Sequence, residues 1–272
     1  MANLVPLKLH MHGCATQEEM NANVTAALER GYTPINDYLT PELGGKSGLR
    51  GTVSICGAAP SLADTYQELT GHIMACNSAI GFLVGKGIIP TYGMIWDASP
   101  LCEKFAIPDK RITYLLGARC HPSVFDKLKG CKVIAWHAGG DHNILEFLRQ
   151  NDIREPTING GSAAVTRAMY LAYAMGYRKL HLFGADSSFR AGDSHVNGSL
   201  ATEKQLEVFI DGKPFQTTPE FCAQVEEFKV IYPHFTAFGC SVTVHGDGML
   251  PHVYSIMKNC YAFGGTNATT CI

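Results

Sequence analysis

The chain has 272 residues, of which 46% are hydrophobic and 17% charged, and a formal net charge of −2. That length buries roughly three quarters of the unfolded surface without staples, and the near-neutral balance argues against a general nucleic-acid binder. No apolar run reaches the about 20 residues of a membrane span, and Met1–Gly13 lacks the h-region of a signal peptide. The ten cysteines, from Cys14 to Cys271, contain no C-x-x-C pair. They read as buried thiols of a reducing compartment rather than a disulfide framework, and a cytoplasmic protein is expected.

The capping box Thr16–Glu19 opens a helix that ends near Gly31, with Met20, Val24, Ala27 and Leu28 on one face. Pro34–Gly51 is rich in Gly and Pro and reads as a connector. Its Gly45-Lys46-Ser47 imitates the end of a Walker A loop, but Thr40 stands at the first-glycine position and the segment precedes a strand instead of following one. Short apolar strands then alternate with helices. The strands are Val53–Cys56, Ile73–Cys76, Gly93–Trp96, Ile112–Leu116, Lys132–Trp136 and Lys179–Phe183. The helices are Leu62–Leu69, Ser78–Gly85, Pro122–Leu128, Ile144–Arg149 and Ser162–Met175, the last closed by Gly176. Beyond Ala185 the pattern changes to a hairpin, Leu206–Ile210 and Lys213–Thr217 around Asp211-Gly212. A helix near Glu220–Ile231, a strand Val242–Val244 and a helix Pro251–Lys258 complete the chain.

Alternating βα units predict an α/β, Rossmann-like fold: a mainly parallel sheet, helices on both faces, and a C-terminal hairpin and helix extension. We read 1–272 as a single domain, with an N-terminal helix and connector (1–51), a nucleotide-binding core (52–186), and a lid and C-terminal extension (187–272).

Ligands of such sheets bind beyond the carboxyl ends of the strands, so the residues there are the candidates. The first strand runs into Gly57-Ala58-Ala59-Pro60-Ser61-Leu62. In that turn Gly57 permits close backbone approach, Ser61 is a candidate helix cap, and backbone N–H groups can meet a phosphate. The second strand ends at Asn77-Ser78, the third at Asp97, and Leu180–Phe183 at Gly184-Ala185-Asp186. Gly161-Ser162, ahead of a helix, is a second place for an anion. Asp97 and Asp186 suit a Mg²⁺–phosphate site, which needs only one or two carboxylates, and equally suit a helix cap or a turn. His195 lies in a polar loop that suits a lid, where it is either a proton-transfer group or merely solvated. His137, Asp141 and His142 cluster after another strand as metal or substrate ligands, or as part of a mobile Gly-Gly loop.

Taken in order, these strand ends resemble a known family. Val53-Ser54-Ile55-Cys56-Gly57-x-x-Pro60-Ser61-Leu62 resembles the G-x-G-P-S-L opening of the MptE-like family, named for an archaeal 6-hydroxymethyl-7,8-dihydropterin pyrophosphokinase; Ala59 replaces the usual second Gly. Cys76–Ala79, Gly87–Pro90 and Asp97 are similar to its second and third blocks. Gly160–Ser162, Ala172–Tyr177 and Leu182–Asp186 are similar to its later ones. The same blocks resemble bacterial sialyltransferases that use a CMP-sugar donor.

Both resemblances imply a nucleotide held at Gly57, Pro60, Ser61 and Asn77, with Ser78, Gly161 and Ser162 beside it. The first implies Mg²⁺ on Asp97 and Asp186, and diphosphoryl transfer from ATP to a hydroxymethyl, pterin-like acceptor. The second implies sugar transfer with His195 as base. A nucleotide-binding module without catalysis is the third reading. The expected partners are a nucleotide donor and a small-molecule acceptor, with no membrane and no general nucleic-acid binding; a homo-oligomer is open.

Overall fold

The computed structural model describes residues 15–140, 142–196, 198 and 205–262. Helix α1 (Gln17–Glu29) opens with Thr16 and Glu19 capping each other as the sequence predicts. The connector is more structured than expected. It holds the two-residue strand β1 (Thr33–Pro34) and two 3₁₀ turns, Ile35–Tyr38 and Pro41–Leu43. In its Walker-like stretch Lys46 is exposed and pairs with Asp37, while Ser47 is buried and its N–H donates to Leu39 O at 2.8 Å.

The core then runs β2 (Arg50–Cys56), α2 (Leu62–Thr65), β3 (His72–Cys76), α3 (Ser78–Gly85), β4 (Tyr92–Ile95), β5 (Thr113–Gly117), α4 (Pro122–Lys127), β6 (Lys132–Ala138), α5 (His142–Gln150), β7 (Thr157–Ile158), α6 (Ala164–Ala174) and β8 (Tyr177–Phe183). A hairpin of β9 (Leu206–Ile210) and β10 (Lys213–Thr217) follows, then α7 (Pro219–Ala237), β11 (Ser241–Val244) and α8 (Met249–Ala262).

The sheet order is β1-β6-β5-β4-β3-β2-β8-β11, with β7 on β6, and every pairing in it is parallel. The hairpin forms its own antiparallel pair. Period-two alternation supplies both faces of the sheet with apolar side chains. Val53, Ile55, Met74, Met94, Leu115, Ile134, Leu180 and Leu182 join one core, covered by α6, α7 and α8. Cys56, Ala75, Ile95, Leu116, Ala135 and Phe183 join the other, covered by α2, α3 and α4. At about 25 cal/mol per Å² this two-sided burial is the main stabilising term.

Two helices differ from expectation. The segment expected as one helix from Leu62 to Leu69 breaks after Thr65 into a 3₁₀ turn, Tyr66–Glu68. Helix α7 continues through Pro233 to Ala237, although Pro removes an intrahelical bond. The gain is burial of Phe235 edge-on against Tyr170 and Tyr173. Five of the eight described cysteines are buried, and all eight are free thiols. No described helix is long and apolar enough to cross a membrane.

The strand order reverses between β2 and β8. The chain leaves β2 toward β6 on one side and returns through α6 to lay β8 against the other side of β2. Such a reversal opens a crevice at the carboxyl ends of the strands.

Candidate functional site

A cleft of about 170 Å³ occupies that rim. Its walls come from the ends of β2, β3 and β8, the first turn of α6, α7, and the loop that carries His195. Gly57, Asn77, Ser78, Asp186 and His195 all line it, so the residues singled out at distant points of the chain converge. Pro60 and Ser61 lie just behind, in the β2–α2 turn.

That turn is not the open phosphate cradle expected from its sequence. Gly57 N–H donates to Phe183 O at 2.8 Å and Ala59 N–H to Gly184 O at 3.0 Å, which sews the end of β2 to the end of β8. Ser61 N–H donates to Asp186 Oδ2 at 2.9 Å. Among the described residues, only the Ala58 N–H of this turn lacks an acceptor. Gly57 does allow a close approach, but by protein: a Cβ there would stand 2.3 Å from Gly184 O and 2.7 Å from Val165 Cγ2. Ser61 makes no cap hydrogen bond. Its hydroxyl donates instead to Asp186 Oδ1.

Asp186 is 2% exposed and packed beneath the turn before α8, where a Cβ on Gly248 would lie 2.3 Å from its own Cβ. Burial pushes its carboxyl above the ordinary 3.8, against the lowering pull of the two Ser61 hydrogen bonds and of Arg190. Arg190 itself bridges Asp64 and Asp247, pinning the start of the His195 loop.

A polar side-chain atom without a protein partner lies one strand over. Asn77 sits between β3 and α3 at φ 50°, ψ −122°, a backbone region that side chains rarely adopt and that costs on the order of 1–3 kcal/mol. Its N–H bonds Met94 O at 3.0 Å, while its Oδ1 is buried without a hydrogen-bond partner. A side-chain amide presents either its O or its NH₂ after a flip. Ser78 follows at the N-terminus of α3, whose first amides have no intrahelical acceptors and carry the positive end of the helix dipole.

His195 is half-buried across the cleft, with Nδ1 2.9 Å from Ser194 Oγ. Burial first, and the Lys104 charge second, hold its imidazole below the ordinary 6.5. That shift favours the neutral imidazole near pH 7. Val196 N–H donates to Ala58 O at 2.7 Å and ties this loop to the β2 turn.

Three expected ligands stand elsewhere. Gly161-Ser162 does face an anion, but an internal one: Ser162 N–H reaches both Glu227 carboxylate oxygens at 2.8 and 2.9 Å, and Thr166 Oγ1 lies 3.1 Å from Oε2. Asp97 follows β4, outside the cleft lining, and its Oδ1 accepts from Ser99 N–H at 2.9 Å. Since β3 and β2 stand between β4 and β8, the strands that lead to Asp97 and Asp186 are three spacings, about 14 Å, apart. One Mg²⁺ with ligands at about 2.1 Å cannot be held by both. With the Asp186 oxygens already engaged by Ser61, this donor set fits the cation poorly. His137 is 1% exposed and bonds Tyr32 Oη and Glu155. Asp141 and the His142 side chain lie outside the described residues.

Residues that strand-end reasoning passed over also surface here. The end of β5 leads into Arg119, and Arg167 rides the buried face of α6, each with its guanidinium against the Trp96 ring. The strand-end rule applied to β5 would have found Arg119. Arg167 sits amid the apolar stripe Val165, Ala168 and Met169, where a charge is itself the signal.

Comparison with known proteins agrees with this layout. No curated protein matches the chain. Among solved structures, the MAf glycosyltransferase from Magnetospirillum magneticum AMB-1 superposes with a TM-score of 0.62 at 18% identity, over 85% of this chain and 37% of that one. This chain thus spans little more than a third of that neighbour, and at this identity the likeness concerns the fold. The family model described as 6-hydroxymethylpterin diphosphokinase MptE-like matches residues 23–192, from α1 to the threshold of the His195 loop. With the match covering well over half its length, the chain belongs to the MptE-like family.

Proposed function

We propose that this protein is a nucleotide-dependent transferase that moves a glycosyl group from a nucleotide sugar to an acceptor hydroxyl. The observation that carries the reading is a half-buried imidazole, His195, held below its ordinary pKa in the same cleft as the Asn77 side chain and the amide end of α3. In this reading Asn77 and Ser78 receive the donor's phosphate, and the cleft floor at Gly57 and Gly184 fixes its depth. His195 Nε2 takes the acceptor proton as the acceptor oxygen bonds to the anomeric carbon. The bond from that carbon to the phosphate oxygen breaks, and its electron pair leaves with the phosphate. The dipole of α3 steadies the charge that develops there. The glycosyltransferase named among the fold's neighbours is consistent with this chemistry.

A second reading, diphosphoryl transfer from ATP to a hydroxymethyl acceptor, is favoured by the family's description. It asks for Mg²⁺ at Asp97 or Asp186, whose described contacts already engage them.

The test is nucleotide release from a panel of nucleotide sugars and from ATP, each with acceptor mixtures, in EDTA and in Mg²⁺. Turnover of a nucleotide sugar in EDTA, lost roughly 10²–10⁴-fold in His195→Ala, is the expected result. ATP turnover that requires Mg²⁺ and is indifferent to His195→Ala would establish the second reading instead. Nucleotide binding with no turnover would leave a binding module.

A further inference from the structure

A second cavity, of about 180 Å³, opens on the same rim beyond α6. Two cations converge on it. Arg119 and Arg167 line the cavity with their Cζ atoms 4.2 and 4.6 Å from the centroid of one indole ring, that of Trp96. Among the described residues neither guanidinium forms an ion pair. Arg167 is 7% exposed. Its Nη1 reaches the carbonyls of Gly139 and Ile158 at 3.4 and 3.3 Å, while its Nε is buried with no hydrogen-bond partner. His137, 1% exposed and lining the same cavity, leaves its Nδ1 equally unpaired.

A strut that only braced two carbonyls would not need this arrangement. Burial, compounded by the Arg119 charge, pulls the Arg167 guanidinium down to about 10, so bringing these two like charges together is costly. The surrounding backbone accommodates that cost. A Cβ on Gly160 would stand 2.9 Å from Arg167 Cδ, so glycine there is what lets the side chain pass into the cavity. Glu227 is the carboxylate that acts on Arg167 through space, and its oxygens are spent on Ser162 and Thr166. Arg119 Nε donates to Trp96 O at 3.2 Å, which leaves its terminal nitrogens without a partner among the described residues. The orphaned Arg167 Nε beside them calls for an oxyanion, which matches the guanidinium fork in geometry and charge.

We propose that this cavity is a binding site for the carboxylate or phosphate group of a second ligand, gripped by Arg119 and Arg167 beside Trp96. The first turn of α6 divides it from the cleft, with Thr166 on one side and Arg167 on the other. The two cavities thus lie on either side of that turn. That the second ligand is the acceptor rests on the transferase reading; the affinity for an oxyanion does not.

The experiment is calorimetric titration of the full chain with inorganic phosphate and, separately, with benzoate, at ionic strength held constant with chloride. At least one should bind, and Arg119→Gln and Arg167→Gln should each weaken it roughly 10- to 100-fold, the range for losing a charge-assisted hydrogen bond. Binding of phosphate alone assigns a phosphorylated ligand, and of benzoate alone a carboxylate. Should Arg167→Gln fail to fold, Arg119→Gln, on a half-exposed side chain, decides the matter. No binding of either probe at millimolar concentration overturns the proposal, as does binding that survives the arginine substitutions. Both outcomes are independent of whether any nucleotide is turned over.

Discussion

Replacing Ser61 by alanine separates two uses of one hydroxyl. In the structure that hydroxyl donates to Asp186 Oδ1, inside a seal made by the turn before α8. Its loss leaves a carboxylate that is 2% exposed with, among the described residues, only the Ser61 N–H, at 2.9 Å, as donor. A hydrogen bond to a charged group contributes about 1.5–3 kcal/mol. At about 2.1 cal/mol/K per residue, unfolding 272 residues carries about 0.57 kcal/mol/K, so Ser61→Ala should melt about 3–5 °C below the native chain at pH 7.

The pH dependence has a definite sign. The folded-state pKa of Asp186 is raised, so the folded chain binds its proton more tightly than the unfolded one does. The stability this contributes is full below the ordinary 3.8 and is lost as pH rises through the folded value. Removing the hydroxyl raises that value further, so the deficit should be largest at neutral pH and shrink toward pH 4. Melting curves followed by circular dichroism from pH 4 to 7 measure it. An unchanged melting temperature at pH 7 together with weaker nucleotide binding would refute the reasoning, because the hydroxyl would then belong to a ligand.

Further outcomes follow from the same geometry. Asn77→Gly relieves a positive φ while removing the amide, so the melting temperature should hold or rise while calorimetry shows nucleotide affinity falling about tenfold; a joint loss of both would mark Asn77 as a structural residue. Gly57→Ala drives a Cβ to 2.3 Å from Gly184 O, and the urea midpoint should report a loss of about 1–3 kcal/mol or more. An unshifted midpoint would mean that the β2 and β8 turns are not pressed together in solution. The acid limb of the pH–rate profile should have its midpoint below 6.5, because the depressed pKa keeps His195 in its base form to lower pH. A limb centred above 6.5 would assign the titration to another group.

How much of this was legible in the chain depends on the range of the interaction. Capping at Thr16, the hairpin turn at Asp211-Gly212 and the apolar β-branched run at Val53–Cys56 are local, and the structure repeats them almost residue for residue. Parallel order made the strand ends a dependable list, and Gly57, Asn77, Asp186 and His195 do share a cleft. The strands β1 and β7, two residues each, were invisible because a period of two cannot show in two residues. What each candidate does was harder to read, since partners decide it. Nothing near Gly57 announces the Gly184 carbonyl, and nothing near Ser162 announces Glu227, 65 residues later. Turn glycines and helix ends look alike whether they await a phosphate or are already occupied by the protein.

The placement of β2 also sets a timetable for synthesis. One edge of this strand meets β3 almost at once, but the other waits for β8, whose Tyr177 partners Arg50 from roughly 130 residues downstream. At ribosomal speeds of about 5–20 residues per second, that apolar edge stays bare for on the order of ten seconds after it emerges. An unpaired edge is a template for strands of other chains. Nascent chains stalled between β3 and β8 should therefore depend on chaperones more than either shorter or finished ones. The strand at the floor of the His195 cleft is among the last to be sealed.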